Sequence, residues 1–327
     1  MKDETDKKND RNNILLEVKG VKKYFSGKKG CVKALDGVDL TIKSGELVSI
    51  VGESGCGKST LSRCIIGIEK ITEGEIFFNG EKISDYDRKQ LRPVRRIMQM
   101  VFQNPYAAFQ PKQTIGEGLR EVGNFYGIKG AELQERLDTL LEYIKMDAEL
   151  LDHYPDELSG GQLQRLAIAR ALIVKPKLLI ADEPVSALDV SVQAQILNIL
   201  SEIQKKENMA VLFISHDLSV VEHISDRVYV MYLGKAVESG DKKDIFSDPK
   251  HQYTKALLAS RPRETPWEKS CEINLKGELP NALNIPDGCR FWPRCVKYKD
   301  GLCNKYEPKT TISGNGHMAA CHLVETF

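Results

Sequence analysis

The sequence predicts an α/β domain built on a mostly parallel sheet, followed by a small loop-rich module. From Ile14 to about Phe246, apolar runs of strand length alternate with helical stretches, the pattern of strands joined by crossover helices. Three runs, Leu47 to Val51, Leu178 to Ala181 and Ala210 to Ile214, are apolar on both faces, as strands covered by helices on both sides are. Near Arg261 the texture turns irregular, with Pro262, Pro266, Pro280, Pro286, Pro293 and Pro308 set among clustered cysteines.

The 327 residues allow about two domains at roughly 150 residues each. Hydrophobic residues at 41% and charged residues at 28% are the balance of a globular chain rather than a disordered one. Lys and Arg total 47 against 46 Asp and Glu, a net charge of +1. Such a chain has no global attraction to nucleic acid or anionic lipid. Residues 1–13 read as a solvated, disordered tail in which four acids offset four bases. No apolar stretch follows a basic head, so a signal peptide is not expected and a cytosolic, reducing compartment is the default. The longest apolar runs, such as Val228 to Leu233, fall far short of the roughly 20 residues that span a bilayer. At a membrane, another chain would have to supply the spans.

Taken in chain order, the first motif is the loop Gly52-Glu53-Ser54-Gly55-Cys56-Gly57-Lys58-Ser59-Thr60 behind the Leu47–Val51 run. It fits G-x-x-x-x-G-K-[ST]: glycines let backbone N–H groups wrap a polyphosphate, Lys58 reaches the β- and γ-phosphates, and Ser59 can ligate Mg²⁺. A helix starting at Ser59 to Leu61 adds the partial positive charge of its N-terminus. Cys56 is a small filler with no adjacent cysteine for a redox role. Farther on, Glu132 to Met146 places Leu133, Leu137, Leu140, Leu141 and Ile144 on one face, an amphipathic helix whose stripe is explained by core packing.

Leu158-Ser159-Gly160-Gly161-Gln162 opens another helix, with Ser159 and Gln162 at capping-box spacing. Its N–H groups form a second anion site; because the first loop already holds a nucleotide, this one points to the nucleotide of another subunit. The Leu178–Ala181 run ends in Asp182 and Glu183, a carboxylate for the Mg²⁺ shell and one to act on water. Ser215, His216 and Asp217 follow the third run. In open α/β sheets the ligand crevice lies outside the carboxyl ends of the strands, where all three motifs are expected.

Five of the eight cysteines lie between residues 271 and 327, four of them spaced Cys289-x5-Cys295-x7-Cys303-x17-Cys321. Four thiolates can hold Zn²⁺ or a 4Fe-4S cluster, and spacing does not decide between them. The short C-x-x-C knuckle is missing; His317 and His322 are candidate substitute ligands that read first as ordinary surface histidines, and four buried free thiols are the alternative reading. Cys271 stays unassigned.

The ordered set GESGCGKST (52–60), VFQNP with Gln103, LSGGQ (158–162), LLIADEP with Asp182 and Glu183, SALD (186–189) and ISHD with His216 resembles the ATP-binding subunit of ABC transporters over about Leu15 to Phe246. The resemblance implies two such domains dimerising head to tail, with ATP between the phosphate loop of one and LSGGQ of the other. By that resemblance Lys58, Ser59 and Thr60 bind phosphates and Mg²⁺. Gln103 touches metal and attacking water and relays to the membrane subunit. Glu183 is the general base and His216 contacts the γ-phosphate. Ser159, Gly160, Gly161 and Gln162 act in trans, and Asp189 lies at the dimer seam. Adenine is expected to stack on an aromatic upstream, Phe25 in preference to Tyr24.

HQYTKALLASRP (251–262), GELP (277–280), DGCRFWPRC (287–295) and HMAACHL (317–323) are similar to the C-terminal extension of the oligopeptide/dipeptide subfamily of ABC importers. One mild departure is Gln252, where members commonly have Pro. The resemblance implies a 4Fe-4S cluster on Cys289, Cys295, Cys303 and Cys321, with Zn²⁺ the alternative. The implied layout is a tail over 1–13, an ATPase domain over 14–250 with a helical subdomain at about 104–172, and an extension over 251–327. The implied role is powering import of di- and oligopeptides from the cytoplasmic face of the membrane. The partners would be a second ATPase subunit, identical or paralogous, two permeases and, indirectly, an extracytoplasmic binding protein. Nickel or another metal complex is the alternative cargo. A soluble ATPase of DNA repair or translation is the remote one, since only residues 61–157 separate the phosphate loop from LSGGQ.

Overall fold

The computed structural model describes residues 13–28, 30–261, 280 and 282–324. The tail through residue 12, Cys271 and residues 277–279 of the GELP segment lie outside the described residues. The strands are β1 (Ile14–Gly27), β2 (Gly30–Lys43), β3 (Leu47–Val51), β4 (Glu73–Phe78), β5 (Glu81–Lys82), β6 (Met98–Val101), β7 (Leu178–Asp182), β8 (Ala210–Ser215), β9 (Arg227–Tyr232), β10 (Lys235–Asp241), β11 (Thr311–Ile312) and β12 (Met318–Ala319). The helices are α1 (Lys58–Ile65), α2 (Arg88–Ile97), α3 (Ile115–Phe125), α4 (Gly130–Ile144), α5 (Gly160–Leu172), α6 (Val190–Lys206), α7 (Leu218–Ile224), α8 (Lys242–Ser247) and α9 (Gln252–Ala259).

The chain divides into two compact units. One takes the residues up to Leu15, Ile42–Leu47 and Asp85–Ile214. Its strands β6, β7 and β8 are parallel, with Met98 beside Leu178, Leu178 beside Ala210, and Asp182 beside Ile214. Every residue of β7 is buried, as an apolar run without alternation requires. On α4 the stripe Leu133, Leu137, Leu140, Leu141 and Ile144 is buried against α5 and α6, each side chain contributing roughly 1.5–3 kcal/mol by leaving water. The helix starts at Gly130 and stops at Ile144 because Lys145 turns left-handed at φ +55°, two residues short of the sequence expectation.

The other unit takes Leu16–Thr41, Val48–Ser84 and Ser215 onward. Here β3 and β9 are parallel, β10 runs antiparallel to β9, and β12 and β11 follow in antiparallel order. A separate four-stranded sheet has the order β2-β1-β4-β5, with β1 antiparallel to β4 and Leu16 opposite Phe78. Long β1 buries Leu15, Leu16, Val18 and Val21, an alternation too irregular to announce the meander in sequence. The C-terminal segment is more than loops: Ser239 of β10 faces Met318 and Glu238 faces Ala319, so β12 extends the sheet edge.

Candidate functional site

The phosphate loop follows β3 directly. Gly52 has φ +153°, Gly55 +82° and Gly57 +109°. A Cβ on Gly52 would sit 2.3 Å from the Met231 carbonyl oxygen, and one on Gly57 2.5 Å from that of Ala34. Only glycine fits at either place. Gly57 is the N-cap of α1 and carries no side chain to cap its first turn, which leaves an anion-seeking helix end. Lys58 is 4% exposed, and its Nζ donates to the carbonyls of Gly52 at 2.7 Å and Glu53 at 3.1 Å. Ser54 and Gly55 are exposed, and Ser59 and Thr60 half-buried. Burial pushes the Cys56 thiol up, which keeps it protonated and unreactive. A loop that excludes a Cβ at Gly52 and Gly57, with the Lys58 ammonium buried in it and the Ser59 and Thr60 hydroxyls half-buried, fits a polyphosphate with its Mg²⁺.

Of the two upstream aromatics, Phe25 is exposed, with the Lys23 ammonium 4.6 Å from its ring centroid. Tyr24 is half-buried and its hydroxyl donates to Asp36. Burial, and then that hydrogen bond, raise the Tyr24 phenol to about 12. Exposed His216 begins the turn after β8, a turn shaped by the Asp217 N–H donating to Ser215 Oγ at 2.9 Å.

In the other unit, buried Asp182 ends β7 and Glu183 reverses the chain at φ +49°, a conformation costing a non-glycine residue roughly 1–2 kcal/mol. Its N–H donates to the Ile214 carbonyl at 3.0 Å, and Ser186 Oγ donates to its carbonyl at 3.1 Å. Gln103 Nε2 donates to Glu183 Oε2 at 3.2 Å and to Ser186 Oγ at 3.3 Å. The carboxylate is thus aimed by an amide and held by a strained turn.

The expected capping box is present: Gln162 N–H donates to Ser159 Oγ at 3.3 Å, and Ser159 N–H to Gln162 Oε1 at 2.9 Å. A Cβ on Gly161 would meet Val192 Cγ1 at 2.5 Å. Ser159, Gly160, Gly161 and Gln162 line a hollow of about 740 Å³ together with Lys145, Asp147, Arg165 and Asp189.

Around the cysteines, the Cys289 N–H donates to the Cys303 carbonyl at 2.8 Å, and none of the four is in a disulfide. Burial raises the Cys289 thiol to about 11, with the charges of Cys321, Cys303 and Cys295 adding to it. Among the described residues, no three or more His, Cys, Asp or Glu are arranged to hold a metal ion, so the thiols are neighbours without forming a ligand shell. His317 Nε2 lies 2.8 Å from the buried Glu238 carboxylate and His322 Nε2 2.8 Å from the Tyr306 carbonyl. Both histidines are engaged away from the thiols.

Three participants escape local reading. Ser186 supports Gln103 and Glu183. Arg294 grips the Glu53 carboxylate through two bonds of 2.6 and 2.9 Å, and the Tyr253 hydroxyl accepts the Glu53 N–H at 2.9 Å. Arg294 is 241 residues and Tyr253 200 residues from their partner, so no spacing rule could have linked them.

A family model for the ABC transporter matches residues 35–186, and one for the oligopeptide/dipeptide transporter C-terminal region matches residues 237–303. The chain is 48% identical to the oligopeptide transport ATP-binding protein AppF of Bacillus subtilis, over 94% of this chain and 97% of that one. It is 43% identical to the dipeptide transport ATP-binding protein DppF of Escherichia coli, over 95% of both. Among solved structures it is similar to the ATP-binding cassette MJ0796 bound to ADP and Pi, with TM-score 0.64 and 32% identity over 70% of this chain and 99% of that one.

Proposed function

The chain belongs to the family of ATP-binding subunits of oligopeptide and dipeptide ABC transporters, and from that membership we propose that it hydrolyses ATP to power import of di- and oligopeptides. The observation that carries the reading is the Gly52–Thr60 loop, whose Gly52 and Gly57 admit no Cβ and whose Lys58 is buried.

Lys58 exchanges its bonds to the loop carbonyls for the β- and γ-phosphates, while the first turn of α1 donates N–H groups to them. Ser59, Asp182 and Gln103 are the residues that would hold Mg²⁺, which when bound would supply positive charge to offset that of the phosphates. Glu183 takes the proton of the attacking water, oriented by the Gln103 amide. His216 donates to the γ-phosphate. Phe25 stacks on adenine, with Tyr24 as the alternative. Ser159 Oγ already accepts from Gln162 N–H, so its own proton is left to donate to a phosphate on a second subunit. The partner's nucleotide would enter the hollow beside Asp189.

The second ATPase subunit is either another copy or a paralogue. Two permeases supply the membrane spans, and a binding protein outside the membrane delivers peptide to them. No helix among the described residues is long and apolar enough to cross a membrane; a peripheral place on the cytoplasmic face follows from the same family reading. The layout of a tail (1–13), ATPase domain (14–250, helical subdomain about 104–172) and extension (251–327) belongs to the same reading. So does a 4Fe-4S cluster, or Zn²⁺, on Cys289, Cys295, Cys303 and Cys321, supported by the family resemblance and by four thiols free of disulfides. Iron, sulfide and zinc analysis of anaerobically purified protein separates the two metals.

Uptake by vesicles holding the whole transporter tests the cargo. Labelled di- or tripeptide should accumulate only with ATP, and excess Ni²⁺ should not compete. ATP-dependent accumulation of Ni²⁺ without peptide uptake would overturn the reading.

A further inference from the structure

We propose that Arg294 is a positioning residue for ATP binding, holding the phosphate loop in its nucleotide-ready shape by clamping Glu53. The inference rests on the reading that Gly52–Thr60 binds ATP. Glu53 is tied at three points: its carboxylate to both Nη atoms of Arg294, its N–H to the Tyr253 hydroxyl, and its carbonyl to Lys58 Nζ. The Arg294 side chain is 6% exposed and that of Glu53 28%, so solvent screens the pair far less than a surface ion pair.

Two physical effects follow. A bare carboxylate in a phosphate loop repels polyphosphate, and a bidentate guanidinium cancels that charge while fixing the side chain. A loop held before its ligand arrives also loses less conformational freedom on binding. The clamp is anchored in the C-terminal segment. Arg294 closes a short 3-10 turn, Trp292–Arg294, between Cys289 and Cys295. Phe291, just before that turn, packs on Tyr232 and Tyr253 with ring centroids 5.4 Å from each. Arg290 bonds the Leu233 carbonyl and Asp36. The extension thereby reaches the nucleotide loop through side chains of its own.

The test is titration of the full chain with a fluorescent ATP analogue, joined to steady-state ATPase of the reconstituted transporter. Arg294→Met should raise Kd and KM for ATP roughly tenfold, the loss expected of a bidentate charged pair, with kcat within about twofold of wild type. Arg294→Lys should recover part of the affinity. Adding Glu53→Gln to Arg294→Met should weaken binding no further, since both changes break one interaction. Tyr253→Phe, which keeps the aromatic packing, should raise Kd about two- to threefold through the lost hydrogen bond and serves if Arg294→Met fails to fold. A wild-type Kd in folded Arg294→Met or, if that does not fold, in Tyr253→Phe overturns the inference, as do fully additive effects with Glu53→Gln. Wild-type protein that binds no ATP overturns the underlying reading as well, an outcome distinct from these.

Discussion

Glu183 occupies a left-handed backbone conformation at φ +49°, held by hydrogen bonds to its N–H and carbonyl, while the Gln103 amide aims its carboxylate. The same logic of enforced geometry governs Gly52, where a Cβ would stand 2.3 Å from one carbonyl oxygen and 2.8 Å from the Cys56 sulfur. Gly52→Ala must therefore displace backbone rather than a flexible side chain. We expect it to lower stability by about 1–3 kcal/mol and to abolish detectable ATP binding, measured by thermal unfolding and nucleotide titration; wild-type values in both would contradict the account. At this scale the sequence was most legible where chemistry is contiguous. Lys58 and Ser59 announce themselves because glycines, ammonium and hydroxyl stand in one nine-residue loop. Arg294 does not, because only the folded chain brings it to Glu53.

At the scale of elements, helix α9 is capped by His251, whose Nδ1 accepts the Tyr253 N–H at 3.0 Å. The ring must be neutral there to accept, and burial lowers its pKa from 6.5 to about 4. Facing it from β10 is Glu238, whose oxygens accept the Lys250 and His251 N–H groups at 2.6 and 2.9 Å. His317 approaches the same carboxylate from the C-terminal segment. Because the folded pKa lies below the unfolded one, the unfolded chain takes up this proton first. The contribution of neutral His251 is therefore complete above pH 6.5 and is lost as pH falls toward about 4. The span corresponds to about 3 kcal/mol. Urea midpoints measured across that window should fall with pH, and less steeply in His251→Asn, which has no proton to gain; equal slopes would contradict the assignment. Strands and helices were well marked by apolar runs and by the Ser159 capping box. The pairing of β12 with β10 was not, since two residues carry no periodicity and the contact is a long-range event.

For the whole molecule, the net charge of +1 suits a subunit that docks on protein rather than on nucleic acid or lipid. The cysteine-rich segment, which by composition reads as an appendage, is bonded into the structure at the sheet edge through β12 and at the phosphate loop through Arg294. Its distance from the loop in sequence hides both connections. The catalytic motifs reveal the ATPase, while the cargo is legible only by kinship, because its contacts lie in other polypeptides. We propose that Glu183 drives the ATP hydrolysis that is coupled to peptide transport. The most direct test is phosphate release by the complete transporter in vesicles, with and without peptide-loaded binding protein, for the wild type and for Glu183→Gln. Release should rise with peptide in the wild type and fall by at least about 10²-fold in Glu183→Gln, with ATP still bound. Equal release by the two proteins, or release indifferent to peptide, would contradict the proposal.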